Sequence, residues 1–443
     1  MKPTRLLLIW LATLLGLSIV QGALRALGID PGPSLQAINW ALLLALLVLA
    51  LLDAAHLLRR PSPSIERRLS GSLALGRWAE VQVSVQHDYR QPLTVELFDH
   101  VPDGLSFEQL PHSLELQPGQ TSQFSYRLRP LRRGHFSFQQ CEINLPGPLG
   151  LWSARRYLKV NDSTRVYPDF AHLYGAQLLA VDSWISQLGV RQRQRRGQGL
   201  EFHQLREFRE GDSLRQIDWK ATARQRTPIA REYQDERDQQ IIFMLDCGQH
   251  MRSQDGELSH FDHALNACLL LSYIALRQGD AVGLMTFASH QPRYLPPVKG
   301  LGQLKSLLNA SYDLESCNRS ADYQAAAFEL LKKEKRQTLV IILTNLRNED
   351  NEDLTLAINH LRKQHLVLVT SLRENILEKL LARPVNTLQE ALDYCAVSDY
   401  LHTRMTTHAK LKLQGIPVVD TQPEKLGASL TSKYLNWKKS GAL

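Results

Sequence analysis

Two long apolar runs open the chain. Leu6 to Leu24 holds no charged residue and is broken only by Gln21 near its end; Leu35 to Leu52 follows, with Gln36 and Asn39 as its only strongly polar positions. Each is close to the ~20 residues an α-helix needs to cross the hydrocarbon of a bilayer. Arg25 and a turn at Pro31-Gly32-Pro33 separate them, and Trp10 and Trp40 suit the interfaces. Lys2 and Arg5 precede the first run and Arg59, Arg60, Arg67 and Arg68 follow the second, whereas the connection carries only Arg25 and Asp30. The positive-inside bias therefore predicts a hairpin with both ends in the cytoplasm. A cleaved signal peptide is the alternative for the first run, and the second apolar run so soon after it argues against that.

From Ser64 to about Tyr167 the period changes to two. Val81–Val85 and Leu93–Leu97 alternate cleanly; Ser113–Leu116, Gln123–Leu128, His135–Phe138 and Tyr157–Val160 are further strand candidates. Turn pairs such as Asp103-Gly104, Pro118-Gly119 and Arg133-Gly134 punctuate them, which predicts an antiparallel β-sandwich. From Gln240 onward, strands alternate with helices. Ile241–Leu245 is a continuous apolar run ending at Asp246, as a central parallel strand should read. Strands are also predicted at Ala281–Phe287, Thr338–Leu343, His365–Val369 and Ile416–Val419. Helices are predicted at Phe261–Arg277, Leu301–Ala310, Tyr323–Lys333, Glu352–Lys363, Thr387–Lys412 and Glu424–Lys438. The alternation implies a doubly wound sheet with its ligand sites at the strand carboxyl ends, where Asp246 and Thr344-Asn345 fall. The expected organisation is multidomain: a two-helix transmembrane anchor over 1–60, a β-sandwich over 61–170, a linker over 171–238 and an α/β domain over 239–443.

Composition narrows the class. The 443 residues are 44% hydrophobic and 22% charged, too polar for a polytopic transporter. A net charge of +8 is compatible with anionic partners but diagnoses none. The five cysteines lie far apart with no C-x-x-C pair, which excludes a disulfide scaffold and a zinc ribbon and fits a reducing compartment. No P-loop, H-E-x-x-H or G-x-S-x-G occurs, and the Gly197-Gln198-Gly199 triplet lacks the strand and third glycine of a dinucleotide fingerprint. The basic run Arg191–Arg196 has no interleaved aromatic residue. It reads as a solvated loop or a contact to anionic membrane lipid, and not as a nucleic-acid arm.

The segment from Gly199 to Arg224 interleaves acids and arginines at short range: Glu201, Arg206, Glu207, Arg209, Glu210, Asp212, Arg215, Asp218 and Arg224. Asp212 or Ser213 is expected to cap a helix through Leu214, Ile217 and Ala221. Two readings stay open for this segment: an ion-pair network that braces it, or a polar surface a partner recognises. No nucleophile–base pair is legible in it, so no catalytic residue is assigned.

This same segment resembles the signature of a large bacterial family of unknown function. The resemblance rests on Gly199, Glu201, Phe202, Leu205, Arg206, Gly211, Asp212, Arg215, Ile217, Asp218, Trp219, Thr222, Ala223 and Arg224. Pro146–Gly150, Val166–Pro168, Arg231–Tyr233 and Lys433–Lys438 also look like the family. The resemblance covers essentially the whole chain after the anchor. It implies a membrane-anchored protein with a von Willebrand factor A-like domain, in a family typically encoded beside MoxR-type AAA+ ATPases. The implied function is that of an adaptor at the bacterial inner membrane, with cytoplasmic soluble domains, that works with such an ATPase to assemble or remodel other proteins. Arg206, Gly211, Asp212, Arg215, Asp218, Trp219 and Arg224 would form or brace its docking surface, and substitution of Asp218 and Arg224 is expected to abolish partner capture. Two other classes remain: a scaffold for a transglutaminase-like membrane protein, and a hydrolase using Asp246 and His250.

The resemblance also raises a metal question. Von Willebrand A domains often hold a divalent cation through D-x-S-x-S, a Thr and an Asp on three loops. Here the first element reads Asp246-Cys247-Gly248-Gln249-His250, Asn345 stands near the third position, and Ser320 or Asp322 near the second. Magnesium wants hard oxygen ligands, and glycine and imidazole supply none. The expectation is a degenerate site at Asp246 with no resident cofactor, magnesium being the one candidate.

Overall fold

The computed structural model describes residues 1–28, 32–170, 196–197, 201–209, 214, 217–234 and 239–440. The chain divides into two compact units, Met1–Tyr167 and Pro168–Leu443.

In the first unit, strand β1 (Lys2–Pro3) precedes helices α1 (Arg5–Ala26) and α2 (Pro33–Arg59). Both helices are long and apolar enough to cross a membrane. Most of their large side chains lie on the surface, Trp10 and Trp40 among them, so neither is the buried core helix of a soluble fold. Polar groups pin the hairpin from inside: Asn39 Nδ2 donates to Ser18 Oγ at 2.7 Å, and Gln21 Nε2 to the Leu35 carbonyl at 3.4 Å.

Strands β2 (Ser64–Arg68), β3 (Ser72–Ala74), β4 (Ala79–Gln86), β5 (Leu93–Asp99), β6 (Leu105–Glu108), β7 (His112–Leu116), β8 (Ser122–Pro130), β9 (Gly134–Pro146) and β10 (Trp152–Tyr167) follow. They form one sheet in the order β1-β10-β9-β5-β7, with β3 alongside β10, and a second in the order β2-β4-β8-β6. The alternating residues Val81, Val83, Val85, Leu97, Tyr126 and Ile143 point into one shared core. Leu57 of α2 lies in that core with no exposed surface, so the second helix is continuous with the sandwich in packing.

The junction is also hydrogen-bonded. Strand β1 pairs antiparallel with Trp152 and Ser153, and the Thr4 hydroxyl caps α1 while donating to the Gly150 carbonyl. Arg156 donates to the carbonyls of Leu57 and Arg60 at 2.8 and 2.7 Å, closing the carboxyl end of α2. Asp53, buried in α2, accepts backbone N–H bonds from Leu149, Leu151 and Trp152 at 2.8–3.0 Å. The start of α1 and the end of α2 thus meet at one loop, 146–152, and lie on the same side of the hairpin.

Across the sandwich, Arg67 of β2 reaches Asp99 of β5 with both Nε and Nη2, Nε at 2.8 Å. The Tyr126 hydroxyl of β8 donates to the same carboxylate at 2.7 Å, and Arg67 Nη1 adds Asp162 of β10 at 3.0 Å. Burial, with the neighbouring Asp99 charge, raises the Tyr126 pKa.

The second unit opens with β11 (Arg196–Gly197), β12 (Glu201–Glu207), helix α3 (Trp219–Gln225) and β13 (Ile229–Gln234); the three strands pair in the order β11-β13-β12. Then come β14 (Gln240–Asp246), α4 (His260–Arg277), β15 (Ala281–Phe287), β16 (Tyr294–Val298), α5 (Gly302–Ser311) and α6 (Tyr323–Lys333). After them stand β17 (Leu339–Thr344), α7 (Asn351–Leu361), β18 (Leu366–Leu372), α8 (Asn375–Leu381), α9 (Leu388–Leu413), β19 (Val418–Thr421) and α10 (Leu426–Ser440). Six strands make a sheet in the order β16-β15-β14-β17-β18-β19, parallel except for the edge strand β16. Ile241, Phe243 and Leu245 pack under α4, α5 and α10. Ile242 and Met244 pack on the other face under α6, α7 and α9. Alternation along one apolar strand thus serves two cores, which is the doubly wound arrangement.

Candidate functional site

The signature segment folds around Asp218. Its Oδ1 accepts the N–H groups of Lys220 and Ala221, both at 3.0 Å, capping α3, while its Oδ2 accepts Arg231 Nε from β13 at 2.9 Å. The capping N–H groups, foremost that of Ala221, and then Arg231 hold its carboxyl below the ordinary range. The Thr222 hydroxyl accepts the Ile229 N–H at 3.0 Å, and Asp218 N–H donates to the Ile229 carbonyl at 2.8 Å. Short helix and hairpin are therefore one braced turn. The helix begins at Trp219, later than expected, because Asp218 does the capping; Asp212 and Ser213, with Gly211 and Arg215, lie outside the described residues.

That brace presents outward a mixed surface, a few large apolar side chains among exposed Lys220, Arg224 and Arg226. Trp219 is 72% exposed and Leu214 73%, with Leu205 of β12 at 46%. Arg224 is exposed in the last turn of α3, and Arg206 Nη1 donates to the Glu207 carbonyl at 2.9 Å. Of the predicted residues, Asp218 braces the turn, while Trp219 and Arg224 face outward.

At the sheet's carboxyl edge, Asp246 ends β14 with no exposed surface. Its Oδ1 accepts the Gly248 N–H at 2.7 Å and its Oδ2 the Thr344 hydroxyl at 2.7 Å; Tyr323 OH lies 2.8 Å from the Thr344 oxygen. Burial pushes the Asp246 carboxyl up to about 6, against the opposing pull of those two donors and of His250. Burial, together with Asp246, also raises Tyr323 well above the usual phenol range.

Around this pair runs a second polar layer. Asn345 Nδ2 lies 3.2 Å from both the His250 carbonyl and His260 Nδ1, and His260 Nε2 lies 2.9 Å from Asp255. His250 Nε2 stands 3.3 Å from Asp350, whose carboxyl burial raises. His260 opens α4 beside a Ser259–Asp262 capping box, while His263 is buried in the helix. Tyr323, Asp255 and Asp350 were not singled out in the sequence; their partners come from distant loops, and no local spacing marks them.

The residues present do not fit a magnesium site. Both Asp246 oxygens are engaged by donors of the chain itself. A Cβ at Gly248 would lie 2.8 Å from the Arg319 carbonyl oxygen and 2.9 Å from Asp246 Oδ1, so a serine there would have to push the loop aside. Ser320 and Asp322 are exposed, and Asp322 caps α6 through the Ala325 N–H at 2.8 Å. That leaves the Asn345 side-chain oxygen, buried and without a hydrogen-bond partner among the described residues, and the Asp350 carboxylate, which faces His250 at 3.3 Å. Magnesium needs about six oxygens in octahedral array.

No curated protein matches this chain. Among solved structures, the SpRpn10 VWA domain is 12% identical over 43% of this chain and 93% of that one, with a TM-score of 0.25. Proximal thread matrix protein 1 from the mussel byssus is 11% identical over 43% of each chain, with a TM-score of 0.26. Salmonella alpha-2-macroglobulin reacted with methylamine is 22% identical over 24% of this chain, with a TM-score of 0.19, and this chain spans only 7% of its length. The family model for a protein of unknown function, DUF58, matches residues 204–385, from within the β12 strand of the braced turn through five strands of the sheet to the loop after α8.

Proposed function

We propose that this protein is a membrane-anchored adaptor whose partner is a MoxR-type AAA+ ATPase. Its soluble units would lie on the cytoplasmic face of a bacterial inner membrane, and its α/β unit would be von Willebrand A-like. The charge bias around the hairpin supports the orientation. The strand order, with its antiparallel edge strand, supports the fold assignment. The observation that carries the adaptor reading is the exposed Trp219 on a turn held rigid by Asp218 and Arg231. A large apolar ring on a braced support, near exposed Leu214, Leu205 and Arg224, has the makeup of an interface anchor, where Trp and Arg dominate. Partner recognition then needs no metal.

The test is affinity purification of the tagged full-length protein from native membranes with ATP and Mg²⁺. A stoichiometric AAA+ ATPase is expected with the wild type, lost in Trp219→Ala while the variant stays membrane-bound and equally heat-stable. Undiminished capture by Trp219→Ala would overturn the docking assignment. A stable complex with a transglutaminase-like membrane protein and no ATPase would replace the adaptor reading with the scaffold one.

A further inference from the structure

At the opposite end of the α/β sheet from Asp246, the first residues of β18 and β19 open onto a cleft of about 670 Å³. That volume falls in the ~300–1,000 Å³ range of small-molecule sites. Its walls carry Arg362, Lys412 and Lys433 with Trp437 and His365, over an apolar floor supplied by the two strands; no Asp or Glu lines it. Three cations share one concavity, and Glu334, which acts on His365 from outside the lining, is not among its walls, so the field in the cleft is positive.

Two features separate this from an ordinary basic surface. The Lys433 ammonium sits 5.2 Å over the Trp437 ring, so a flat apolar surface and a cation share one wall. His365, only 3% exposed, lines the cleft with both ring nitrogens lacking a hydrogen-bond partner among the described residues. Buried polar groups are ordinarily satisfied, so this imidazole has one donor and one acceptor available to a bound group. Burial lowers the His365 pKa, which keeps both roles available at neutral pH. Arg362 is held in place by its bond to the Gln414 carbonyl at 2.7 Å.

We propose that this cleft binds a nucleoside phosphate: the base against Trp437, the phosphate among Arg362, Lys412 and Lys433, and the His365 imidazole bonded to the ligand's polar edge. The site is separate from the Trp219 surface, and its occupancy does not depend on the adaptor reading.

Isothermal titration of the full-length protein in detergent tests this with adenosine monophosphate, adenosine and inorganic phosphate. Saturable binding of the monophosphate is expected, about tenfold tighter than either fragment. Lys412→Glu with Lys433→Glu, at exposed or half-exposed positions that leave the fold intact, should weaken it by at least about tenfold. His365→Gln, which does not enlarge the buried side chain, should weaken it severalfold. Absence of saturable heat up to ~5 mM monophosphate, parity with phosphate alone, or indifference to the charge reversals would each overturn the proposal.

Discussion

The Asp53 carboxylate occupies the space that a side chain on Gly147 would need: a Cβ there would lie 2.6 Å from Asp53 Cγ and closer still to its oxygens. The glycine of the Pro146–Gly150 stretch is thus required so that an acid at the end of α2 can accept the three N–H groups of the loop. Hydrogen bonds to a charged acceptor are worth ~1.5–3 kcal/mol each, and the buried Leu151 N–H left open costs more. Gly147→Ala and Asp53→Ala should each destabilise the first unit by about 3–5 kcal/mol. Limited proteolysis of membranes should show new cleavage between Arg60 and Trp152. A protease pattern equal to wild type would refute the clamp.

The Arg67–Asp99 pair predicts a second asymmetry. Arg67→Met leaves the Asp99 carboxylate buried with only Tyr126 and should cost about 3–5 kcal/mol. Arg67→Met with Asp99→Asn removes both charges and keeps an acceptor for the Tyr126 hydroxyl, so most of the loss should return. Urea unfolding of the full-length variants in detergent reads this; equal losses in the single and double variants would show that the charge pair is not the source.

Asp246 makes stability depend on pH. Its folded-state pKa of about 6 lies above the ordinary 3.8, so the folded state holds the proton more tightly. Below about pH 3 both states are protonated and nothing is lost. As pH climbs from about 4 to about 6 the unfolded chain ionises first, and stability falls by about 3 kcal/mol before levelling. Asp246→Asn abolishes that dependence. Melting temperatures of both proteins at about pH 4.5 and 7.5 should therefore converge at one end and separate at the other; parallel shifts would contradict the buried-acid account.

Rebuilding the metal motif should fail. Gly248→Ser drives a Cβ against the Arg319 carbonyl, and the loop bond from Gln249 N–H to that same carbonyl at 2.9 Å holds it in place. The variant should lose about 1–3 kcal/mol to overpacking and gain no Mg²⁺-dependent rise in melting temperature. A magnesium-induced rise would show that the loop can yield and the site can be restored.

The two apolar helices and the α/β elements were legible where pattern and punctuation agreed. Helix α6 was expected at Tyr323–Lys333 and is found there, because Asp322 caps one end and lysines close the other. The edge strand β16 was missed: Tyr294–Val298 contains two prolines, tolerated since an edge strand needs N–H groups on one side only. Helix α8, two turns long, carries too few residues for a period to show. In the signature, alternating charge marked the segment, but which acid caps the helix depended on Arg231 arriving from β13. The carboxyl-edge site was legible at Asp246 through its strand-end position. Tyr323 and the His260–Asp255 pair were not, since only the folded sheet brings them beside it.

The packing of Leu57 in the sandwich core has a mechanical consequence. With Asp53 and Arg156 closing the same junction, Arg60 is no hinge, and the hairpin and sandwich turn as one rigid lever. Strand β10, 16 residues long with a bulge between Lys159 and Asp162, starts at that fulcrum. A small tilt of the two helices therefore reaches Tyr167, the last residue of this unit, as a sweep of its position, undiminished by bending at the junction.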